Sequence, residues 1–295
     1  MKFDKDKPGL TSESRDHFSE ISGIFLDRRL ALTPREYQIL ERELLAFLLC
    51  EEATFEKRLI GGAAWLGILR DFLLATAPAA SQDPDKRTEI LDTFFQSMKQ
   101  NGYERPLRIA SKPVGASSLQ RMLLGLILAF RRKPEKQRAN ILTALFIFYH
   151  YAKTLFRMGR IRMPGLEASF PFSSFRKIPM NPSSEPLKAL LEDWASQFIK
   201  QGKLQRSKTI REGYLYLLLN YALIRWYATG ITWQEKAESI GEKQVKRSIE
   251  LAKEYFPFPG VFDELFQYNP ILENVIQNSF TRKTAPQSFV HPPVG

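Results

Sequence analysis

The chain is expected to be all-α, with about ten or eleven helices around an apolar central hairpin. Three observations carry that expectation. Leucine far outnumbers valine, a balance that favours helices over sheets. Apolar residues recur mostly at three- and four-residue spacing, without convincing strand–turn–strand alternation. Several helix starts also carry explicit capping chemistry.

From the N-terminus, helices are expected at 12–28, 34–59, 62–76, 84–100, 117–132, 135–157, 186–201, 207–229, 233–240, 243–256 and 261–279. Before the second, Thr33 can cap, Pro34 fits the first helical position and Glu36 can close a capping box. Tyr37, Leu40, Leu44, Phe47 and Leu48 then fall along one face. Asp83-Pro84 opens the fourth helix, and Asn101-Gly102 supplies a left-handed stop. Leu119–Phe130 and Ile141–Phe156 are apolar nearly all round, which predicts a core hairpin. Tyr214–Tyr227 has the same character and is expected to pack against it. Thr232-Trp233-Gln234-Glu235 repeats the capping-box pattern ahead of 233–240.

Two connections are long. Residues 101–116 hold Gly and Pro near both ends, and 158–185 hold prolines at 164, 171, 179 and 182. The phenylalanines of the second, Phe170, Phe172 and Phe175, argue for packing rather than a solvated linker. This connection is expected to separate a helical region at 1–157 from a second at 186–280 packed on it, followed by an extended tail at 281–295. Trp65-Leu66-Gly67 matches one fragment of a tetratricopeptide signature, but nothing recurs at its period. A helical-repeat arrangement would therefore be a degenerate one.

Composition narrows the function classes. One cysteine, Cys50, excludes an intrachain disulfide framework and any metal site needing several thiolates. Set in an apolar run, it reads as an inert core thiol. The opening MKFDKDKPGL lacks the apolar stretch of a secretory leader, and the longest apolar runs fall short of the ~18–20 residues that span a bilayer. A cytoplasmic protein without a transmembrane segment is expected, and membrane-surface association is disfavoured because the apolar helices lack a polar face.

The formal net charge is +11, and it is unevenly placed. Residues 96–211 carry 22 basic and 6 acidic side chains, whereas 1–95 and 212–295 are slightly acidic. Three clusters stand out. Arg131, Arg132, Lys133, Lys136 and Arg138 crowd the turn of the expected hairpin. Arg157, Arg160, Arg162, Arg176 and Lys177 flank the phenylalanines of the long connection. Lys203 and Arg206 lie in 194–211, which holds no acidic residue. Cations beside aromatic rings suit a flexible polyanion, with charge meeting phosphate and rings stacking on bases.

Local catalytic motifs are weak or missing. Ser174-Phe175-Arg176-Lys177 fits Ser-x-x-Lys without the companion motifs of the enzymes that use it. Phosphate-cradling glycine loops are absent. His17, His150 and His291 are far apart in sequence, so no metal or other cofactor is expected. The acidic pairs Glu51-Glu52 and Glu192-Asp193 read as solvated helix faces. Thr232–Glu254 resembles a helix-turn-helix in its Ala237-to-Gly241 step, with Lys243, Lys246, Arg247 and Lys253 on offer. Its apolar spacing after the glycine is wrong for that motif, and an ordinary helical hairpin is the better reading.

The expected function is that of a non-catalytic binding protein engaging a polyanion through residues 99–211, with nucleic acid favoured. The first alternative is an adaptor or regulator binding an acidic protein surface, and the second is a helical enzyme whose site is assembled from distant residues.

Overall fold

The computed structural model describes residues 23–27, 30–80, 84–111, 149, 152, 156 and 158–257. These are mostly helical, with eight helices and two short antiparallel strand pairs. The first pair corrects the helix expected at 12–28. Strand β1 (Ile24–Asp27) pairs with β2 (Leu30–Leu32), with Ile24 opposite Leu32. Leu26, Leu30 and Leu32 are buried while Phe25 and Ala31 are exposed, the period-two pattern of a half-buried hairpin. The remainder of that expected helix lies outside the described residues.

Helix α1 (Pro34–Leu48) starts as its sequence requires. The Glu36 N–H donates to Thr33 Oγ1 at 3.2 Å, and the Thr33 N–H donates to Glu36 Oε2 at 2.7 Å. The expected helix 34–59 is instead two helices. The chain leaves α1 at Leu49, carries Glu51 and Glu52 through a bend, and restarts as α2 (Phe55–Ala80). Thr54 makes the restart, its hydroxyl accepting the Lys57 N–H at 3.4 Å. Helix α2 absorbs the helix expected at 62–76. Its Phe55–Thr76 stretch is long and apolar enough to cross a membrane by length and composition alone. Half of that apolar window is buried, however, and a soluble core helix meets the same criterion.

Helix α3 (Pro84–Gln100) has its expected bounds and stops at Gly102, whose φ is +53°. Part of the connection expected at 101–116 is helical: α4 (Glu104–Ala110) packs on α2. The connection 158–185 is also structured. Strand β3 (Arg160–Ile161) pairs with β4 (Phe170–Pro171), and α5 (Ser174–Lys177) adds a single turn. Helices α6 (Glu185–Lys200), α7 (Ile210–Gln234) and α8 (Glu242–Tyr255) follow. No separate helix occupies 233–240. The Thr232 hydroxyl donates to the Ala228 carbonyl at 2.7 Å from within α7, so Thr232 is not a cap. The chain turns out at Lys236, where φ is +55°. The expected hairpin 117–157, apart from single positions, and everything beyond Pro257 lie outside the described residues.

Helix α7 organises the packing. Every residue from Glu212 to Ile224 is buried, so it is enclosed on all sides rather than amphipathic. Helices α8, α2 and α5 and strands β1 and β4 cover it. Three tyrosine hydroxyls tie this cover down. Tyr214 donates to the Leu59 carbonyl at 2.8 Å, Tyr221 to Glu56 Oε1 at 2.8 Å, and Tyr227 to the Pro164 carbonyl at 3.0 Å. Gly230 lets the β3–β4 region come close, since a Cβ there would sit 2.6 Å from Leu166 and 2.7 Å from Phe170. The buried apolar residues form one cluster running from Leu26 to Phe256.

A fully buried arginine joins the first helices to the later ones. Arg58 Nη2 meets Glu192 Oε1 of α6 at 2.5 Å, and its Nη1 donates to the Leu48 carbonyl at the end of α1. Glu192 is therefore an ion-pair partner and not part of a solvated acidic face. Arg58→Ala is expected to cost about 3 kcal/mol in urea denaturation, because it strands Glu192 and a helix-end carbonyl. Combining Arg58→Met with Glu192→Leu is expected to restore most of that loss, since an apolar pair leaves no uncompensated charge.

Candidate anion-binding site

The loop between α6 and α7 carries Lys203 and Arg206, and local geometry fixes it at both ends. Helix α6 closes at Gln201, and Gly202 adopts φ +67°, which redirects the chain. Leu204 is buried against Gly213 of α7 so closely that a Cβ at 213 would lie 2.5 Å from the Leu204 carbonyl oxygen. Thr209 then caps α7, accepting the Glu212 N–H at 3.2 Å. Lys203 is thus held between two anchored points. Its ammonium stands 5.2 Å from the centroid of the Phe198 ring.

Helix α8 closes the other side. Val245, Ser248, Ile249, Leu251 and Ala252 bury one face, which leaves Lys253 at the edge of that face. Lys203 and Lys253 line a cavity of about 290 Å³ between α6, α7 and α8. Trp194, Phe198 and Phe256 form its aromatic wall, and Gln197, Gln201 and Asn220 supply amides. None of the described residues lining it is acidic. Two of the amides are partly committed elsewhere: Gln197 donates to Asp193 at 2.7 Å, and Asn220 to the Tyr216 carbonyl at 2.9 Å.

Among the described residues no carboxylate offsets the Lys203 charge appreciably. The Lys203 ammonium is pushed below the ordinary lysine range, first by burial, then by the nearby positive charges of Lys253 and Arg206. Elsewhere the same chain meets its cations with carboxylates. Lys99 pairs with Glu43 at 2.7 Å and Arg225 with Glu56 at 2.5 Å, while Arg211, depressed mainly by burial and by Arg70, is steadied by Asp27 and Asp71.

The remaining expected site residues fall in different places. Arg160 lies flat over Trp233 at 4.7 Å and donates from Nε to Ser169 Oγ at 3.0 Å, so it fastens the β3–β4 hairpin to the end of α7. Arg162, Arg176 and Lys177 are exposed. Trp233 and Asn220 are 13 residues apart on α7, a rise of about 20 Å, so the Arg160 station is distinct from the Lys203 cavity. Arg131, Arg132, Lys133, Lys136, Arg138 and Arg157 lie outside the described residues, as do His17, His150 and His291.

One expectation about the neighbouring chemistry changes. Phe170, Phe172 and Phe175 are buried, and the last two face Trp226 at 6.0 and 5.2 Å, so these rings belong to the core and are not stacking platforms for bases. In the Ser-x-x-Lys match, Ser174 Oγ is buried without a hydrogen-bond partner while Lys177 is exposed, so the two form no nucleophile–base pair. Among the described residues no three His, Cys, Asp or Glu side chains converge as metal ligands. Cys50 is half-buried, and burial and Glu52 push its thiol up to about 12, which leaves it unreactive at neutral pH.

Sequence reading missed Lys253 as a site residue because it stood among the cations of a helix-turn-helix candidate. Three of those four are paired: Lys243 with Glu235, Lys246 with Glu242 and Arg247 with Glu250. Glu250 precedes Lys253 by three residues but pairs with Arg247, so spacing alone assigns Lys253 a partner it does not have among the described residues. Comparison of the chain with family models, with curated proteins and with solved structures gives no match.

A half-buried cation without a counter-charge costs stability, so Lys203→Met is expected to raise the melting temperature of the ligand-free protein. The effect depends on pH in a defined sense. Because the folded-state pKa of Lys203 lies below its unfolded value, the unfolded chain binds more protons in the interval between them. The penalty is complete below the folded pKa and disappears as pH rises towards the unfolded value. The gap between variant and wild type should therefore narrow with alkalinity, read by calorimetry across the alkaline range.

Proposed function

We propose that the protein is a non-catalytic binding protein that engages a polyanion, nucleic acid first, through cations within residues 99–211. One observation supports this above the rest: Lys203 and Arg206 of that segment lie close to Lys253, and no described residue lining the cavity shared by the two lysines is acidic. Holding like charges together disfavours the folded state, and a bound phosphate would supply the missing negative charge. The exposed Arg162, Arg176 and Lys177 would add contacts that neutralise phosphates without reading sequence. Since the phenylalanines of the connection are enclosed, affinity would come mainly from charge, with little base stacking there.

The test is fluorescence anisotropy with a single-stranded RNA across a salt series. Binding should weaken linearly in log–log form, with a slope of about −0.7 per neutralised phosphate. Two variants divide the contribution. One reverses Arg131, Arg132, Lys133, Lys136 and Arg138 to glutamate, and the other reverses Arg176, Lys177 and Arg206. A contributing triple should reduce the slope by about 2. Failure of the wild type to bind RNA or DNA at low salt, or an unchanged slope in both variants, would overturn the reading. Tighter binding of polyglutamate than of RNA at equal salt would point instead to an adaptor for an acidic protein surface.

A further inference from the structure

We propose that the cavity between α6, α7 and α8 is a discrete pocket for one nucleotide unit, its phosphate held between Lys203 and Lys253 and its ring against the aromatic wall. The inference rests on reading the Lys203 cluster as an anion site, and it adds a ligand class, a size and a pose.

Three features of the cavity select this ligand. The charge pattern comes first: two ammonium groups from different elements line it, a third cation lies close enough to repel Lys203, and no described lining residue is acidic. That pattern favours a compact group with more than one negative charge, as a phosphate monoester carries at neutral pH. A monocarboxylate would leave one ammonium uncompensated.

The second feature is the remaining lining. Trp194, Phe198 and Phe256 line it while each stays more than nine-tenths buried, so they offer an apolar wall and not open faces, and Gln197, Gln201 and Asn220 present amides. With its donor group bonded to the Tyr216 carbonyl, Asn220 keeps its side-chain oxygen as an acceptor, and Gln197, donating to Asp193, does likewise. A planar heterocycle bearing N–H donors matches this combination, whereas inorganic phosphate uses none of it.

Size supplies the third. At about 290 Å³ the cavity stands at the small end of ligand pockets, which begin at roughly 300 Å³. It has room for a phosphate and one planar ring, and not for two stacked nucleotides. The pocket is also set in advance. Leu204 is locked against Gly213, and Asn220 projects from the enclosed middle of α7, so little ordering is left for the ligand to impose.

Isothermal titration calorimetry with AMP, adenosine and orthophosphate tests the proposal on the full chain. AMP is expected to bind with one-to-one stoichiometry, about 10-fold or more tightly than either adenosine or orthophosphate. Lys203→Met and Lys253→Met should each weaken AMP by about 10-fold, while far-ultraviolet circular dichroism and melting show both variants folded. Equal affinity for AMP and orthophosphate would remove the ring from the proposal, and equal affinity for AMP and adenosine would remove the phosphate; either result overturns it. Absence of AMP binding, or binding unchanged in both variants, overturns it as well. RNA binding that survives any of these results leaves the polyanion reading standing, and AMP binding without RNA binding has the reverse meaning.

Discussion

The structure depends on enclosing one helix. Helix α7 is buried on every side from Glu212 to Ile224, so elements from distant parts of the chain must converge on it. Strand β1 from one end of the described chain, α2, the 158–171 hairpin and α8 all contribute. Burying apolar surface is not directional, so it does not by itself fix which element lies where. The tyrosines add that specificity. Each of Tyr214, Tyr221 and Tyr227 carries a hydroxyl into the core that must find an acceptor; Tyr214 and Tyr221 find theirs on α2 and Tyr227 on the loop at Pro164. Misplacing either segment would leave a buried hydroxyl unpaired, at about 1–3 kcal/mol.

The same packing decides where charge is neutralised. Helices brought against α1, α2 and α7 bury several ionisable groups, and these take the available carboxylates: Glu192 for Arg58, Glu56 for Arg225 and Glu43 for Lys99. Of these pairs, Glu43–Lys99 draws a carboxylate of residues 1–95 onto a cation of the basic block, and Glu56 is drawn onto Arg225 beyond it. Lys203 and Arg206 follow a loop with no acidic neighbour in sequence, and the nearest element in space brings another lysine. Positive potential therefore collects at the α6–α7–α8 junction, although the chain as a whole carries acidic residues in number.

What sequence could disclose followed the range of the interaction involved. The Thr33 capping box and the Pro84–Gly102 bounds of the third helix were legible because each is set within a few residues. The β1–β2 hairpin escaped notice because two strands of three or four residues leave too short a period-two pattern to oppose a helical frame. Thr232 was misread for a different reason. Its local chemistry suits a cap, but burial of Ile231 and Thr232 keeps the chain in α7 for another turn. Where the expected 34–59 helix divides, Arg58 bonds both the Leu48 carbonyl and Glu192, the latter 134 residues away, a contact that no window of sequence displays. Among the candidate site residues, Lys203 and Arg206 were legible from a local excess of charge. Lys253 was not, since the pairing of Glu250 with Arg247 instead is a fact about where Glu250 points.

The enclosed helix and the charged junction are mechanically connected. Lys203 sits one residue before Leu204, whose backbone rests on Gly213 of α7, and Asn220 reaches the cavity from the most buried stretch of that helix. Part of the site is thus built on an enclosed helix, so an anion would meet groups already in position. Lys253 is exposed, by contrast, and retains its side-chain freedom until something engages it. If the junction binds an anion as proposed, a half-buried cation and an exposed one would divide the work. Lys203 would contribute preorganised potential at a cost to the free protein, and Lys253 would incur its entropic cost only with the ligand present.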